Sequence, residues 1–472
     1  MQYWKPEAPD EFAGDMMPYW DGRRFHLFYL LDRDHHAEQG GLGGHQWAHC
    51  ETEDLINWTH YPLALPIGEP GSVDQHGICT GSIFEDKGVY HAFYATRIKR
   101  SDGSVYEAIC RAAGSTLDRF VKSPENPIFT PEAGLDPRNL RDPFVFRDPE
   151  TDKYHMLVTA ARKRGDTPET QGERGVLAHY VSDNLENWES AEPLLTLAES
   201  APTPECPEHF HWNGFWYLLY SQRAQMEYWI SERPLGPWRR ARRETIEGPN
   251  LAVPRTAAFG EGRRIAVGFL SWRRGERDGG EGQYAGNAIF RELIQGTDGT
   301  LSTRFVPEMM PPTGLPIQWD WVGDSRSDAQ PSGDKRIEAE KGGASIANIP
   351  PDCLLSFRLT LTGGASAYGL TLRTGASDET GYNLSFSPGE NRVELKRSAG
   401  GGAISLAVIE NVEGLDQPVD VVIVMKNSML DVCVNGQRTM IARGFDYRGD
   451  TLRFFVASGQ LAIQNLRIAP LI

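Results

Sequence analysis

Phe12-Ala13-Gly14-Asp15-Met16-Met17-Pro18-Tyr19-Trp20-Asp21-Gly22 leads into Phe25-His26-Leu27-Phe28-Tyr29, and this stretch decides the fold. An acid, a turn dipeptide and an aromatic-rich apolar run follow one another, and the order returns along the chain. Asp142 precedes Tyr154-His155-Met156-Leu157-Val158, and Glu205 precedes Trp216-Tyr217-Leu218-Leu219-Tyr220. Each of the three acids stands ten to twelve residues before its run. Two further copies lack the acid: Thr80-Gly81-Ser82 leads to Tyr90-His91-Ala92-Phe93-Tyr94, and Arg255-Thr256 leads to Ile265-Ala266-Val267-Gly268-Phe269. The copies recur every 51 to 66 residues. That period belongs to propeller blades rather than to helical solenoids.

Turn dipeptides such as Asp21-Gly22, Lys87-Gly88, Asn213-Gly214 and Glu261-Gly262 stand before the apolar runs and mark hairpins. The first four copies continue through another strand to a closing aromatic: Trp58, Phe120, Trp188 and Trp238. Each copy reads as three or four antiparallel strands that cannot bury both faces alone. Five such units packed around an axis cover most sheet edges and bury the aromatics between blades. The first strand of a blade lines the central channel. Asp15, Asp142 and Glu205 are therefore expected to converge there from equivalent points of three blades.

After Phe305 the pattern changes. A Pro- and Met-rich passage (308–316) and a polar stretch (324–344) read as a linker. Alternating strands then return: Tyr382, Leu384, Phe386; Val393, Leu395; Ile404, Leu406, Val408. With the turn Asn435-Gly436, this region reads as a β-sandwich with a structural or sugar-binding role. The expected fold is all-β: a five-bladed β-propeller over residues 1–318, then a C-terminal β-sandwich with its linker over 319–472.

The chain has 472 residues and a formal net charge of −16, which argues against nucleic acid and anionic membrane surfaces. Twelve tryptophans and 16 tyrosines suit β-rich folds and clefts that cover sugar faces. No apolar stretch reaches the length of a membrane span, and Met1-Gln2-Tyr3-Trp4-Lys5-Pro6 carries no charged-then-apolar leader. The six cysteines (50, 79, 110, 206, 353, 433) show neither metal spacing nor CxxC, so reduced buried thiols in a cytoplasmic protein are expected. The expected partner is a small oligosaccharide, with neither nucleic acid nor membrane. A homo-oligomer is left open.

Three carboxyls in one channel suit glycoside cleavage. One protonates the leaving oxygen, and a second attacks or activates water. The separation is about 5–5.5 Å in a retaining enzyme and roughly 6.5–9.5 Å in an inverting one. The proton donor needs a raised pKa, which burial or a neighbouring carboxylate supplies. Each acid alone has a duller reading: Asp142 pairing with Arg141, Asp15 capping a turn, Glu205 in a solvated loop between Pro204 and Pro207. It is their joint placement in the repeat that points to chemistry.

Arg141-Asp142-Pro143 and Glu205-Cys206 resemble two motifs of glycoside hydrolase family 32, the invertase, inulinase and levanase family. Gly44-His45-Gln46-Trp47-Ala48-His49 running to Asp54-Leu55-Ile56-Asn57-Trp58, and Thr80-Gly81-Ser82, resemble others. The resemblance spans essentially the whole chain and implies a propeller followed by a sandwich. It further implies Asp15 as nucleophile, Asp142 as transition-state stabiliser fixed by Arg141, and Glu205 as general acid/base. The reaction it implies is retaining hydrolysis or transfer of a fructofuranosyl group. One motif departs. Where the family has Trp-Met-Asn-Asp-Pro-Asn-Gly, this chain reads Phe12-Ala13-Gly14-Asp15-Met16-Met17-Pro18, keeping the acid and losing the asparagine and tryptophan that shape the fructose pocket.

Gln46, Trp47, Thr80, Arg97, His209, Trp272 and Tyr284 are expected, with Arg141, to line the substrate pocket by position and type. Gly40 to Gly44 reads as a flexible cleft-rim loop, since it lacks the Lys-Ser/Thr of a phosphate-binding loop. His35-His36 and His209 with His211 lie too close in sequence to converge on one ion, so neither a metal nor a cofactor is expected. Two other readings stay open: an arabinofuranosidase or xylosidase of the family 43 type, and a non-catalytic carbohydrate-binding protein. A sugar phosphorylase would call for basic residues clustered near the acids, and Arg141 alone stands out there.

Overall fold

The computed structural model describes residues 1–37, 41–163, 175–198, 201–223, 225–322, 334–339, 343–375, 380–399 and 402–472. Gly40 of the expected rim loop and much of the expected linker lie outside them. The five repeats are five blades of four strands, each hydrogen-bonded in chain order, and the first and fifth are joined in one eight-stranded sheet. The first blade comprises Glu11–Trp20, Phe25–Arg33, Gln46–Thr52 and Thr59–His60. The second has Ile78–Asp86, Val89–Lys99, Val105–Gly114 and Val121–Lys122. The third has Leu135–Arg147, Tyr154–Arg162, Gly175–Ser182 and Glu189–Ala191. The fourth has Glu205–Trp212, Phe215–Gln222, Gln225–Ser231 and Arg239–Thr245. The fifth has Leu251–Phe259, Arg263–Arg273, Gly282–Gln295 and Leu301–Arg304. This is a five-bladed β-propeller.

Local chemistry explains the repeated motifs. Lys87-Gly88 and Asn213-Gly214 both have positive φ at two successive residues, as a two-residue hairpin turn requires. In the turn before Trp58, Asp54 Oδ1 accepts from the N–H groups of Ile56 and Asn57 at 2.9 and 2.7 Å, while Leu55 sits at φ 63°. Asn184 does the same for Glu186 and Asn187, with Leu185 also at φ 63°. The side chain replaces a backbone acceptor and tightens the turn.

The chain's beginning is fastened to its fifth blade. Tyr3 N–H donates to Ala288 O at 3.0 Å, Ala288 N–H donates to Trp4 O at 2.7 Å, and Ala13 of the first blade pairs with Gly286. Between blades the buried aromatics mesh. Phe93 meets Trp188 edge-on at 5.8 Å, and Phe28 packs with Trp47 and Phe120. Such pairs add stability beyond the area they bury.

After the blades comes a β-sandwich of two sheets. One has seven strands: Trp321–Val322, Ala344–Ile346, Thr451–Val456, Tyr368–Thr374, Gly381–Ser387, Arg392–Ala399 and Gly402–Ile409. The other has six: Lys335–Glu338, Gln460–Pro470, Cys353–Thr362, Val419–Lys426, Met429–Val434 and Arg438–Arg443. Alternate residues such as Tyr382, Leu384 and Phe386, and Val419, Val421 and Ile423, supply one apolar core. The chain divides into two compact units. One holds Met1–Ile246, Ala252–Ser271 and Tyr284–Leu301; the other holds Glu247–Leu251, Trp272–Gln283 and Ser302–Ile472. Among the described residues, no helix is long and apolar enough to cross a membrane.

Candidate active site

Four of the five inner strands break register at the same place. On the first blade the break falls between Ala13 and Met16, on the second between Ile78 and Gly81, on the third between Arg141 and Phe144, and on the fourth between Glu205 and Glu208. Each break is a bulge in which two residues face one across the ladder, and bulges re-aim side chains. The bulged pairs are Gly14-Asp15, Cys79-Thr80, Asp142-Pro143 and Cys206-Pro207. The three acids are therefore not at equivalent points, as the sequence suggests. Asp15 is the second residue of its bulge, Asp142 the first, and Glu205 the residue just before. Two first positions carry left-handed backbone on non-glycine residues, Asp142 at φ 54° and Cys206 at φ 51°. Such strain persists where surrounding structure holds it, and it clusters at functional sites.

All three acids line one cavity of about 510 Å³. Carboxylate oxygens of Asp15 and Asp142 and the sulfur of Cys206 lie within 4.8 Å of one another. Asp15 Oδ2 accepts from the Thr80 hydroxyl, and its Oδ1 accepts from the Tyr284 hydroxyl at 3.0 Å. The Asp15 N–H in turn donates to that same Tyr284 oxygen at 3.3 Å. Burial first, then repulsion from Asp142, pushes the Asp15 pKa up, opposed by those two hydroxyl donors and by Arg255. Asp142 is buried, and its Oδ2 accepts from Thr159 Oγ1 and from Cys206 N–H, each at 3.0 Å.

Glu205 is the most open of the three, with its side chain 44% exposed. Its Oε1 accepts from Arg141 Nη2 at 2.8 Å. Burial pushes its pKa up, Arg141 pulls it down, and the charges of Asp142 and Asp15 push it up again. Arg141 is itself clamped. Its Nη1 donates to Asn139 Oδ1 at 3.0 Å and to Glu107 Oε2 at 3.4 Å. Glu107 also faces Arg97 Nε at 3.5 Å, so opposite charges alternate from Arg97 through Glu107 and Arg141 to Glu205.

Seven expected site residues thus meet in this cavity: Asp15, Thr80, Arg97, Arg141, Asp142, Glu205 and Tyr284. Four expected pocket residues are elsewhere. The Gln46 amide oxygen accepts from Ile67 N–H at 3.0 Å and holds a loop. Trp47 is fully buried in a blade core, its indole N–H donating to Cys79 O at 2.9 Å. His209 is buried with its Nε2 2.7 Å from Pro234 O, and it lines a smaller cavity of about 230 Å³. Trp272 belongs to the second compact unit, where its ring packs against Arg443 at 4.3 Å and Phe445 at 5.8 Å.

Sequence reasoning missed Glu107 and Arg138, which line the acid cavity, and read His36 only for metal. Glu107 lies on Val105–Gly114, a third strand with no acid-plus-run signature. His36, His45 and Asp32 form a cluster whose ligand atoms lie within 4.8 Å of one another. One nitrogen of each ring is engaged: His45 Nε2 lies 2.9 Å from Asp32 Oδ1, and Arg97 Nη1 donates to His36 Nε2 at 3.0 Å, while His36 Nδ1 has no hydrogen-bond partner. An imidazole that accepts at Nε2 keeps its proton on Nδ1, which leaves no lone pair for an ion. In a third cluster, His26, His49 and Glu51, His26 Nδ1 lies 3.0 Å from His49 Nε2. All six cysteines are free and buried.

The fold is a propeller, and three of its acids line one cavity. Residues 15–235 match the model of the glycosyl hydrolases family 32 N-terminal domain. A sucrose-6-phosphate hydrolase of Escherichia coli is 27% identical over 311 residues, 61% of this chain and 61% of that protein. The chain thus spans about three fifths of that relative's length. Another sucrose-6-phosphate hydrolase, from Salmonella typhimurium, is 24% identical over 80% of this chain and 78% of its own length. Among solved structures, the exo-inulinase of Aspergillus awamori superposes with a TM-score of 0.72 at 16% identity, covering 100% of this chain and 98% of its own. A β-fructofuranosidase of Bombyx mori gives 0.69 at 19% identity over 100% and 94%. Residues 15–235 of this chain thus resemble the N-terminal domain of glycosyl hydrolases family 32.

Proposed function

We propose that this protein is a retaining glycoside hydrolase or transglycosylase acting on a β-fructofuranoside-type oligosaccharide. The observation that carries the reading is the convergence of Asp15, Asp142 and Glu205 in one cavity, each with different partners. Relatives named as hydrolases of sucrose-6-phosphate, as an invertase of raffinose and as fructosyltransferases support the substrate class and both outcomes.

In this reading an Asp15 oxygen attacks the anomeric carbon of the fructosyl ring. The glycosidic C–O bond breaks, and Glu205 gives its proton to the departing oxygen. Glu205, now a carboxylate, takes a proton from water or from a sugar hydroxyl. That oxygen attacks the same carbon and releases Asp15, so two inversions give net retention. Burial and the neighbouring carboxylates keep the Glu205 proton available, while Arg141 stops the pKa from climbing further. Asp142 spends Oδ2 on Thr159 and Cys206 and keeps Oδ1 for ring hydroxyls. Arg97, Arg141 and Thr80 complete the pocket wall.

The catalytic domain is proposed as residues 1–318, through the last blade strand Leu301–Arg304 and the turn Pro307–Met309, with 319–472 as an accessory sandwich. Free buried cysteines and the net charge of −16 support a cytoplasmic protein without nucleic-acid partners. The test is incubation with a panel of β-fructofuranosides and arabinofuranosides, read by NMR for product identity and anomeric configuration. Released fructose of retained configuration is expected. An inverted product makes Asp15 a base rather than a nucleophile, and arabinose release moves the substrate to the alternative class.

A further inference from the structure

The residue before Asp15 is glycine, where the family motif has asparagine. Gly14 does not sit in left-handed backbone, so conformational freedom is not what it supplies. What it supplies is room. A Cβ built on Gly14 would lie 2.6 Å from the Tyr284 hydroxyl oxygen and 2.9 Å from ring atoms Cε1 and Cζ. Tyr284 comes from the third strand of the fifth blade, and its ring reaches over the first blade's bulge to bond both the N–H and Oδ1 of Asp15. The ring is gripped on other sides: it stacks on His45 at 5.1 Å and meets Phe269 edge-on at 5.5 Å.

We infer that Gly14 and Tyr284 form one device, in which the tyrosine enters the space that only glycine leaves and sets the orientation and charge of Asp15. The inference rests on the proposed nucleophilic role of Asp15 and assigns Tyr284 as a positioning residue. The tyrosine hydroxyl and Thr80 together occupy one oxygen each of the carboxylate, so the group cannot rotate freely. Burial and the neighbouring Asp15 push the phenol pKa well up, which keeps its proton in place as a donor. The donor in turn opposes the burial that drives the Asp15 pKa up.

The test is a cycle of four proteins, Gly14→Ala, Tyr284→Ala, the double variant and the unmodified chain, together with Tyr284→Phe. Gly14→Ala is expected to lower both the melting temperature and kcat/KM, the latter by about tenfold or more, because the methyl displaces the ring. In the Tyr284→Ala background the same methyl has nothing to strike and is expected to cost neither. Tyr284→Phe keeps the ring and should leave the melting temperature near its starting value. It should move the acid limb of the kcat/KM profile to higher pH by about half a unit to one unit, since Asp15 loses a donor. Additive losses in the cycle, or an unmoved acid limb in Tyr284→Phe, overturn the inference. If the unmodified protein cleaves no glycoside, it is the activity reading that fails, and the melting temperatures of the cycle still decide whether the pair is coupled.

Discussion

Glu205 and Glu208 stand three residues apart on the first strand of the fourth blade, on either side of its bulge, and they line different cavities. Glu208 is buried and saturated. Its Oε1 accepts from Arg264 Nη2 at 2.6 Å and from the Thr256 hydroxyl, and its Oε2 accepts from Thr256 N–H at 2.7 Å. Arg264 also lies 3.3 Å from the centre of the Phe210 ring, and Arg255 nearby is held by the carbonyls of Gly81 and Pro207. Carboxylate and guanidinium neutralise each other there, and the charge is spent on structure. Across the bulge Arg141 is shared among Glu107, Asp142 and Glu205, so Glu205 has no cation to itself. A carboxyl left short of donors keeps a proton to give, whereas a fully paired one does not.

The contrast breaks most sharply under amide substitution. Glu205→Gln is expected to lower kcat about 10³-fold or more while substrate still binds, because the proton donor is gone and the shape is kept. Glu208→Gln is expected to leave kcat per folded molecule near its starting value and to cost about 3 kcal/mol of stability, since it strands Arg264 in a buried site. Initial-rate kinetics together with urea unfolding separate the two. A Glu208→Gln protein of full stability without turnover would erase the distinction between the cavities.

A smaller effect sharpens it. Arg141 holds the Glu205 pKa down, so Arg141→Gln should let it rise and move the basic limb of kcat/KM up by about one pH unit. Removing the Arg264 charge should move no limb, which a pH–rate profile of both variants checks.

The smallest effect at neutral pH comes from buried histidines. Burial lowers His45 and His49 to about 3, and His36, His155 and His209 to about 4. Their folded pKa lies below the unfolded value of about 6.5, so the unfolded chain binds these protons first as pH falls. Their contribution is intact above about pH 6.5 and is lost as pH drops toward 4, with no change between pH 7 and 8. Melting temperatures from pH 8 to pH 4 read this directly. A flat profile through pH 5 would mean that the rings are solvated.

The blades were legible because their repeat is written in strong local signals: turn dipeptides at fixed offsets, aromatic runs, and the Asp54 and Asn184 turns. The acids were legible because the same repeat carries them. Their stagger was not, since a bulge changes which way a residue points without altering composition. Trp47 and His209 were misread for a related reason. Both have residue types common in sugar pockets, but their side chains face the inter-blade core and the second cavity. Glu107 was invisible because its role depends on Arg97 and Arg141, which come from a different strand and a different blade.

The fastening of Tyr3 and Trp4 to Ala288 has a structural consequence. Ala288 lies four residues beyond Tyr284 on the strand that reaches Asp15. The same strand thus holds the chain's first residues at Ala288 and carries the hydroxyl bonded to Asp15.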